Sequence, residues 1–131
     1  MLKRIALIGH CGPDSSYLRM AVSRAARDTT VVAIDSEEEL QQAIDDGVDL
    51  LLINRKLDYG FDESEGVAVI RRLRAEHPEL RMMLVSNYPE AQAAALAAGA
   101  LPGFGKRDIG SPRATELIRD ALSDAQVRNP R

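Results

Sequence analysis

The chain has 131 residues, enough to bury one core but too few for separate catalytic and substrate domains. Its 17 Lys and Arg nearly balance 20 Asp and Glu, and the formal charge of -3 gives no broad attraction to nucleic acid or an anionic membrane, so a protein is the expected partner. The single cysteine, Cys11, excludes an internal disulfide and fits a reducing, cytoplasmic compartment.

Residues 1–10 open with basic and apolar character, but the apolar stretch is too short for the roughly 7 to 15 residues of a secretion signal. The most apolar long segment, 93–104, contains Gly99, Pro102 and Gly103 and falls short of the roughly 20 residues a membrane helix needs. One domain is expected over residues 1–124, with 125–131 as a tail or linker start.

In chain order, short apolar runs bounded by turn residues alternate with segments of helical period, the pattern of a parallel sheet covered by helices. The runs predict strands at 4–8, 30–34, 50–54, 81–86 and 103–105, the first four rich in the Val, Ile and Leu that buried parallel strands require. A first helix is inferred after the Pro13-Asp14-Ser15 turn from Tyr17, Leu18, Val22 and Ala25. Ser36 and Glu39 form a capping-box pattern that opens a second helix to about Asp46, with the glutamate reaching back to the serine amide, and Gly47 ends it. The third helix is predicted over 64–75, burying Val67, Ile70 and Leu73 and leaving Arg71, Arg72 and Arg74 in water. Pro89 suits the first turn of a fourth helix, Gly99 its left-handed cap, and Ser111-Pro112 the start of a fifth with an apolar stripe of Leu117, Ile118, Ala121 and Leu122.

In a doubly wound sheet the functional groups follow the carboxyl ends of the strands, here Gly9 and His10, Asn54, Ser86 and Lys106. Residues 48–54, Val-Asp-Leu-Leu-Leu-Ile-Asn, resemble the strand of a response-regulator receiver domain that ends in its phospho-acceptor. Met83-Leu84-Val85-Ser86 resembles the strand ending in the family's hydroxyl, and Ala97-Ala98-Gly99-Ala100 followed by Lys106 resembles the approach to its lysine. The resemblance covers about residues 3–122. It implies a flavodoxin-like five-stranded parallel sheet of order 2-1-3-4-5 with helices on both faces, and a place in two-component signalling.

The departures from the family decide the expected function. The family holds magnesium with an acidic pair after the first strand and attacks a phosphoryl donor with an aspartate after the third. Gly9 and His10 stand at the pair, Asn54 at the nucleophile and Arg107 where a proline usually follows the lysine; only Ser86 and Lys106 match. Phosphoryl transfer needs a carboxylate nucleophile, and magnesium needs anionic oxygens to offset its dehydration. A phosphorylation-independent pseudo-receiver that acts by protein contact is therefore expected, with no cofactor, no metal and no enzymatic activity. A protonated His10 would repel a cation further. Asn54, Lys106 and Ser86 are expected to satisfy one another as a polar cluster, Asn54 accepting from the lysine and donating to the serine or a backbone carbonyl. The family's aromatic switch position is Gly103, so no ring is present to rotate, and Phe104 is assigned to the core.

Two alternatives stay open. The long third loop, 55–65, carries Asp58, Asp62, Glu63 and Glu65, which could fold over the site to pair with Lys106 or bind a cation and so keep the receiver phosphorylatable, against the simpler reading of a solvated acidic loop, with Tyr59 and Phe61 pinning the loop or left for a partner. His10-Cys11 could form a thiol enzyme's nucleophile and base. The sequence lacks the C-x5-R of a small phosphatase, the glycine spacing of a dinucleotide loop and the ligands beyond His10, Cys11 and His77 that zinc would need. In the resembled family the surface of the fourth helix, fifth strand and fifth helix mediates docking. Here it would comprise the alanines of the fourth helix, Ala94 and Ala98 among them, with Tyr88 and Arg113 at the rim, as a face for a protein partner or a weak symmetric homodimer.

Overall fold

The computed structural model describes residues 2–123; the expected tail at 125–131 lies outside them. Five parallel strands form one sheet in the order β2-β1-β3-β4-β5, the order anticipated above. They are β1 (Lys3–Ile8), β2 (Thr29–Ile34), β3 (Leu50–Asn54), β4 (Met82–Val85) and β5 (Leu101–Phe104). Between and after them run α1 (Gly12–Ala25), α2 (Glu37–Asp45), α3 (Gly66–Glu76), α4 (Pro89–Ala97) and α5 (Pro112–Ser123).

Strand alternation divides the apolar side chains between two cores. Ile5, Leu7, Leu50, Leu52, Met83 and Val85 meet Leu18 and Val22 of α1 and Ile118 and Leu122 of α5 on one face. Ala6, Ile8, Leu51, Ile53, Met82 and Leu84 meet Leu40 of α2, Ile70 and Leu73 of α3 and Ala95 of α4 on the other. Because β1, β3 and β4 are covered on both faces, their apolar runs give way to Gly9, Asn54 and Ser86 only where the strands end.

Several boundaries differ from the sequence reading for local reasons. The helix α1 begins at Gly12 and absorbs the Pro-Asp-Ser turn, since Pro13 fits a first helical turn. The Ser36 hydroxyl accepts from the Glu39 amide at 3.2 Å, but the Glu39 carboxylate reaches the amide of Asp35, at 2.9 Å, rather than that of Ser36. The helix α3 starts two residues late, because Glu65 pairs with Lys56 in an antiparallel bridge. Gly66 lies so close to the Asn54 carbonyl that a Cβ would strike it. Val67 is accordingly half-buried, and Val69 takes the buried position.

The solvated arginine face holds only for Arg71. Arg72 is clamped between Glu63 and Glu37 at 2.7 and 3.1 Å, and the Glu63 hydrogen bond raises its guanidinium pKa above the ordinary range. Arg74 donates to the carbonyls of Pro78, Leu80 and Gly99, tying the ends of α3 and α4 together. The fifth strand runs from Leu101 to Phe104, earlier than the predicted 103–105; Phe104 is core, with 3% of its surface exposed.

Candidate functional site

The expected residues do assemble at the carboxyl edge of the sheet, but their partners are not the ones anticipated. Asn54 ends β3, and its amide nitrogen donates to the Gly9 carbonyl at 3.1 Å and the Lys56 carbonyl at 2.9 Å. The two carbonyls fix the orientation of the amide, since its oxygen could not face them. That oxygen is buried without a partner. Lys106 instead pairs with Asp14 of α1 at 3.2 Å, and the Ser86 hydroxyl oxygen accepts the Tyr88 amide at 3.1 Å. The expected mutual cluster of Asn54, Ser86 and Lys106 does not form, although all three line one cavity of about 310 Å³.

The end of β1 is closed by packing. Gly9 has φ +74°, a left-handed conformation that glycine adopts without steric cost, and a Cβ there would lie 2.5 Å from a Leu57 methyl. His10 is buried rather than poised beside the cavity as a cation. Its Nε2 donates to the Leu52 carbonyl at 2.8 Å, and its Nδ1 is buried without a partner. Burial pushes the imidazole below its ordinary pKa; the Leu52 bond opposes this and the positive charge of Lys106 adds to it. The free ring nitrogen of His10 is thus enclosed in the core and makes no hydrogen bond to the exposed Cys11.

The long loop is ordered by its apolar residues. Leu57 and Phe61 are each 7% exposed and sit in the core beside α2 and α3, whereas Tyr59 is 97% exposed. Glu65 pairs with Lys56 at 2.7 Å, which lowers its pKa, and Glu63 pairs with Arg72. Asp58 and Asp62 are exposed. None of the four carboxylates pairs with Lys106, and among the described residues no group of three or more His, Cys, Asp or Glu could hold a metal ion.

The proposed alanine face is only partly on the surface. Ala95 is buried, Ala91, Ala94 and Ala98 are half-buried, and Ala98 packs on the core. Beyond Pro89 and Glu90 in its first turn, the outward positions of α4 are Ala93, Leu96 and Ala97; Tyr88 and Arg113 are exposed.

Two contributors escaped sequence reasoning. Arg55 lies 4.3 Å above the Tyr88 ring, at the mouth of the cavity. The Gln92 amide nitrogen donates to the carbonyls of Leu84, Ser86 and Phe104 at 3.0, 3.1 and 3.2 Å, clamping α4 to β4 and β5. Its oxygen occupies the space above Gly103, where a Cβ would also strike the Leu84 carbonyl. The only signal for Gln92 in the sequence is a polar residue in an alanine-rich helix, which helical periodicity alone does not interpret.

No protein-family model matches the sequence, and no curated protein does. Solved structures with the same fold include NtrX from Brucella abortus, 20% identical with a TM-score of 0.77 over 98% of this chain and 28% of that one. A signal receiver domain of an HD domain-containing protein from Pseudomonas fluorescens Pf-5 is 20% identical with a TM-score of 0.76, covering 98% of this chain and 93% of the other. The beryllofluoride-activated NtrC4 receiver domain dimer is 13% identical with a TM-score of 0.72, over 93% and 98% of the two chains. The chain therefore spans little more than a quarter of full NtrX and nearly all of the single receiver domains. Its fold is that of response-regulator receiver domains.

Proposed function

We propose that this chain is a cytoplasmic pseudo-receiver, a non-enzymatic signalling domain that operates by contact with another protein and not by accepting a phosphoryl group. The observation that carries this reading is the double donation from Asn54 to the Gly9 and Lys56 carbonyls. The end of β3 is built to receive hydrogen-bond donors, so an amide fits where a nucleophilic carboxylate would face two carbonyl oxygens. The neutral, buried His10 and the sterically filled Gly9 support it, because neither supplies the anionic oxygens that magnesium requires. No helix among the described residues is long and apolar enough to cross a membrane.

The test is intact-mass analysis after incubation with magnesium and acetyl phosphate. The mass should stay that of the unmodified chain, in the wild type and in Asn54→Asp alike. A species heavier by one phosphoryl group in the wild type would overturn the reading; one in Asn54→Asp would show that another group replaces the missing acidic pair. A weak homodimer through the outward face of α4 is the second reading, favoured by exposed Leu96 beside Ala93 and Ala97 and by the dimeric state of the NtrC4 receiver. A single monomeric species at high concentration in sedimentation velocity would remove it.

A further inference from the structure

The cavity beyond Asn54 has a charge pattern that the loss of phosphotransfer does not account for. Three cations, Arg55, Lys56 and Lys106, line it together with the Ser86 hydroxyl, and no carboxylate does. Glu65 and Asp14 reach in from outside to pair with Lys56 and Lys106. Three cations less those two carboxylates leave one positive charge, and it resides on Arg55.

Arg55 is placed for use. Its guanidinium stacks at 4.3 Å on the Tyr88 ring, which holds the plane of the group while leaving the N–H edges free, and among the described residues it makes no ion pair or side-chain hydrogen bond. Ser86 is 4% exposed; its oxygen accepts the Tyr88 amide, and its proton is donated to no described group. Lys106 keeps two N–H donors after its contact with Asp14. Donors just beyond the ends of β3, β4 and β5 thus meet in one cavity whose lining has amide oxygens, on Asn54 and Asn87, but no carboxylate, an arrangement that leaves N–H and O–H groups for an anionic oxygen pair.

The lip of this cavity continues into a second surface. Arg55 and Tyr88 also border a groove between α3 and α4, whose apolar floor is Val67, Ala68, Ala91 and Ala94 and whose walls carry Glu65, Arg71 and Glu90. We propose that the cavity takes the carboxylate of an Asp or Glu side chain from a segment of a partner protein, with a neighbouring apolar side chain of that segment lying in the α3–α4 groove. The partner supplies in trans the carboxylate that Asn54 does not. A monoanion matches the one uncompensated charge, whereas a dianion would have to displace Asp14 or Glu65. The inference rests on the reading of the chain as a protein-binding domain and specifies the chemistry of what it binds.

The amide spectrum of the full chain is titrated, without magnesium, with an acetylated and amidated Asp-Leu-Leu peptide, with the matching Asn-Leu-Leu peptide, and with inorganic phosphate. The Asp peptide should give saturable shifts confined to Arg55, Ser86, Tyr88, Lys106 and the α3–α4 groove. Replacing Asp by Asn in the peptide, or Arg55→Ala in the protein, should weaken binding by about tenfold or more, as loss of a charge-assisted contact does. Because Arg55 is half-buried, an unchanged melting temperature of Arg55→Ala must accompany that result. Equal binding of the two peptides, or no saturable shifts with either, overturns the proposal. Tighter saturation by phosphate than by the Asp peptide also overturns it and assigns the cavity to a phosphorylated ligand. The mass experiment above is independent of these outcomes: a phosphorylated wild type would refute the earlier reading, while failed titrations without phosphorylation would refute this inference alone.

Discussion

Replacing Asn54 by Asp changes one atom group and inverts the hydrogen-bonding logic of the site. The amide now donates to two backbone carbonyls, at 3.1 and 2.9 Å. At about 1 kcal/mol net per bond the loss is about 2 kcal/mol, and two carbonyls left facing a carboxylate add about 1 kcal/mol more. Compensation from Lys106 is small, about 0.5 kcal/mol, because its side chain is 40% exposed and already paired with Asp14. The expected net cost at neutral pH is therefore about 2.5 kcal/mol, or roughly 1 M in the urea midpoint. The carbonyl dipoles disfavour the ionised acid, and the protonated acid can return one O–H donor. Its folded pKa is thus raised, the folded state retains the proton longer than the unfolded state, and the destabilisation shrinks as pH falls below that pKa. Urea unfolding at pH 7 and pH 4, with the wild type at both, measures the difference. A variant as stable as the wild type at pH 7, or one relatively worse at pH 4, would refute the donor-seeking description of the site.

His10 gives the opposite pH response: burial lowers its pKa below the ordinary 6.5, so the unfolded state binds the proton first and stability falls as pH drops from about 6.5 toward the folded value. That loss, at most about 1.4 kcal/mol per pH unit, should disappear from pH-dependent unfolding of His10→Gln, which retains an N–H donor for Leu52. Gln92→Ala removes the clamp on Leu84, Ser86 and Phe104 and should cost about 2 kcal/mol, with faster amide exchange at the start of α4. Gln92→Glu should cost more in the same unfolding assay, because it sets a carboxylate against three carbonyls. Arg72→Ala frees Glu63 and should cost about 1 kcal/mol while speeding limited proteolysis within residues 55–65.

The strands and the strand-end position of the site were legible because buried parallel strands read as uninterrupted Val, Ile and Leu runs, as in Leu50–Asn54, while the order of the strands came only with the resemblance to receiver domains. Turn chemistry placed Ser36, Pro89, Gly99 and Ser111 correctly for the same kind of reason: each acts within a few residues of itself. What could not be read was long-range pairing. Nothing near Lys106 in sequence points to Asp14, and nothing near Arg72 points to Glu37 across the α2–α3 interface. The alternation that assigned Phe104 to the core had no equivalent for His10, whose burial depends on the Leu52 carbonyl beside it. The role of Arg55 has no local sequence signal because it depends on Tyr88, brought to it by the pairing of β3 with β4.

The seating of Leu57 against Gly9 bears on how such a site could be re-engineered. A side chain at position 9 would meet the Leu57 methyl at 2.5 Å on a backbone at φ +74°. The loop that carries Leu57 is anchored a second time by Phe61 and a third by the Glu63–Arg72 pair. Loop length and the bare first-strand end are therefore one coupled trait. An engineer who adds an acid at position 9 alone meets both the Leu57 methyl and the left-handed backbone while the loop is in place. The workable order is to shorten 55–65 first, accept the exposed core that leaves, and only then install carboxylates, so the present packing acts as a ratchet against gradual change.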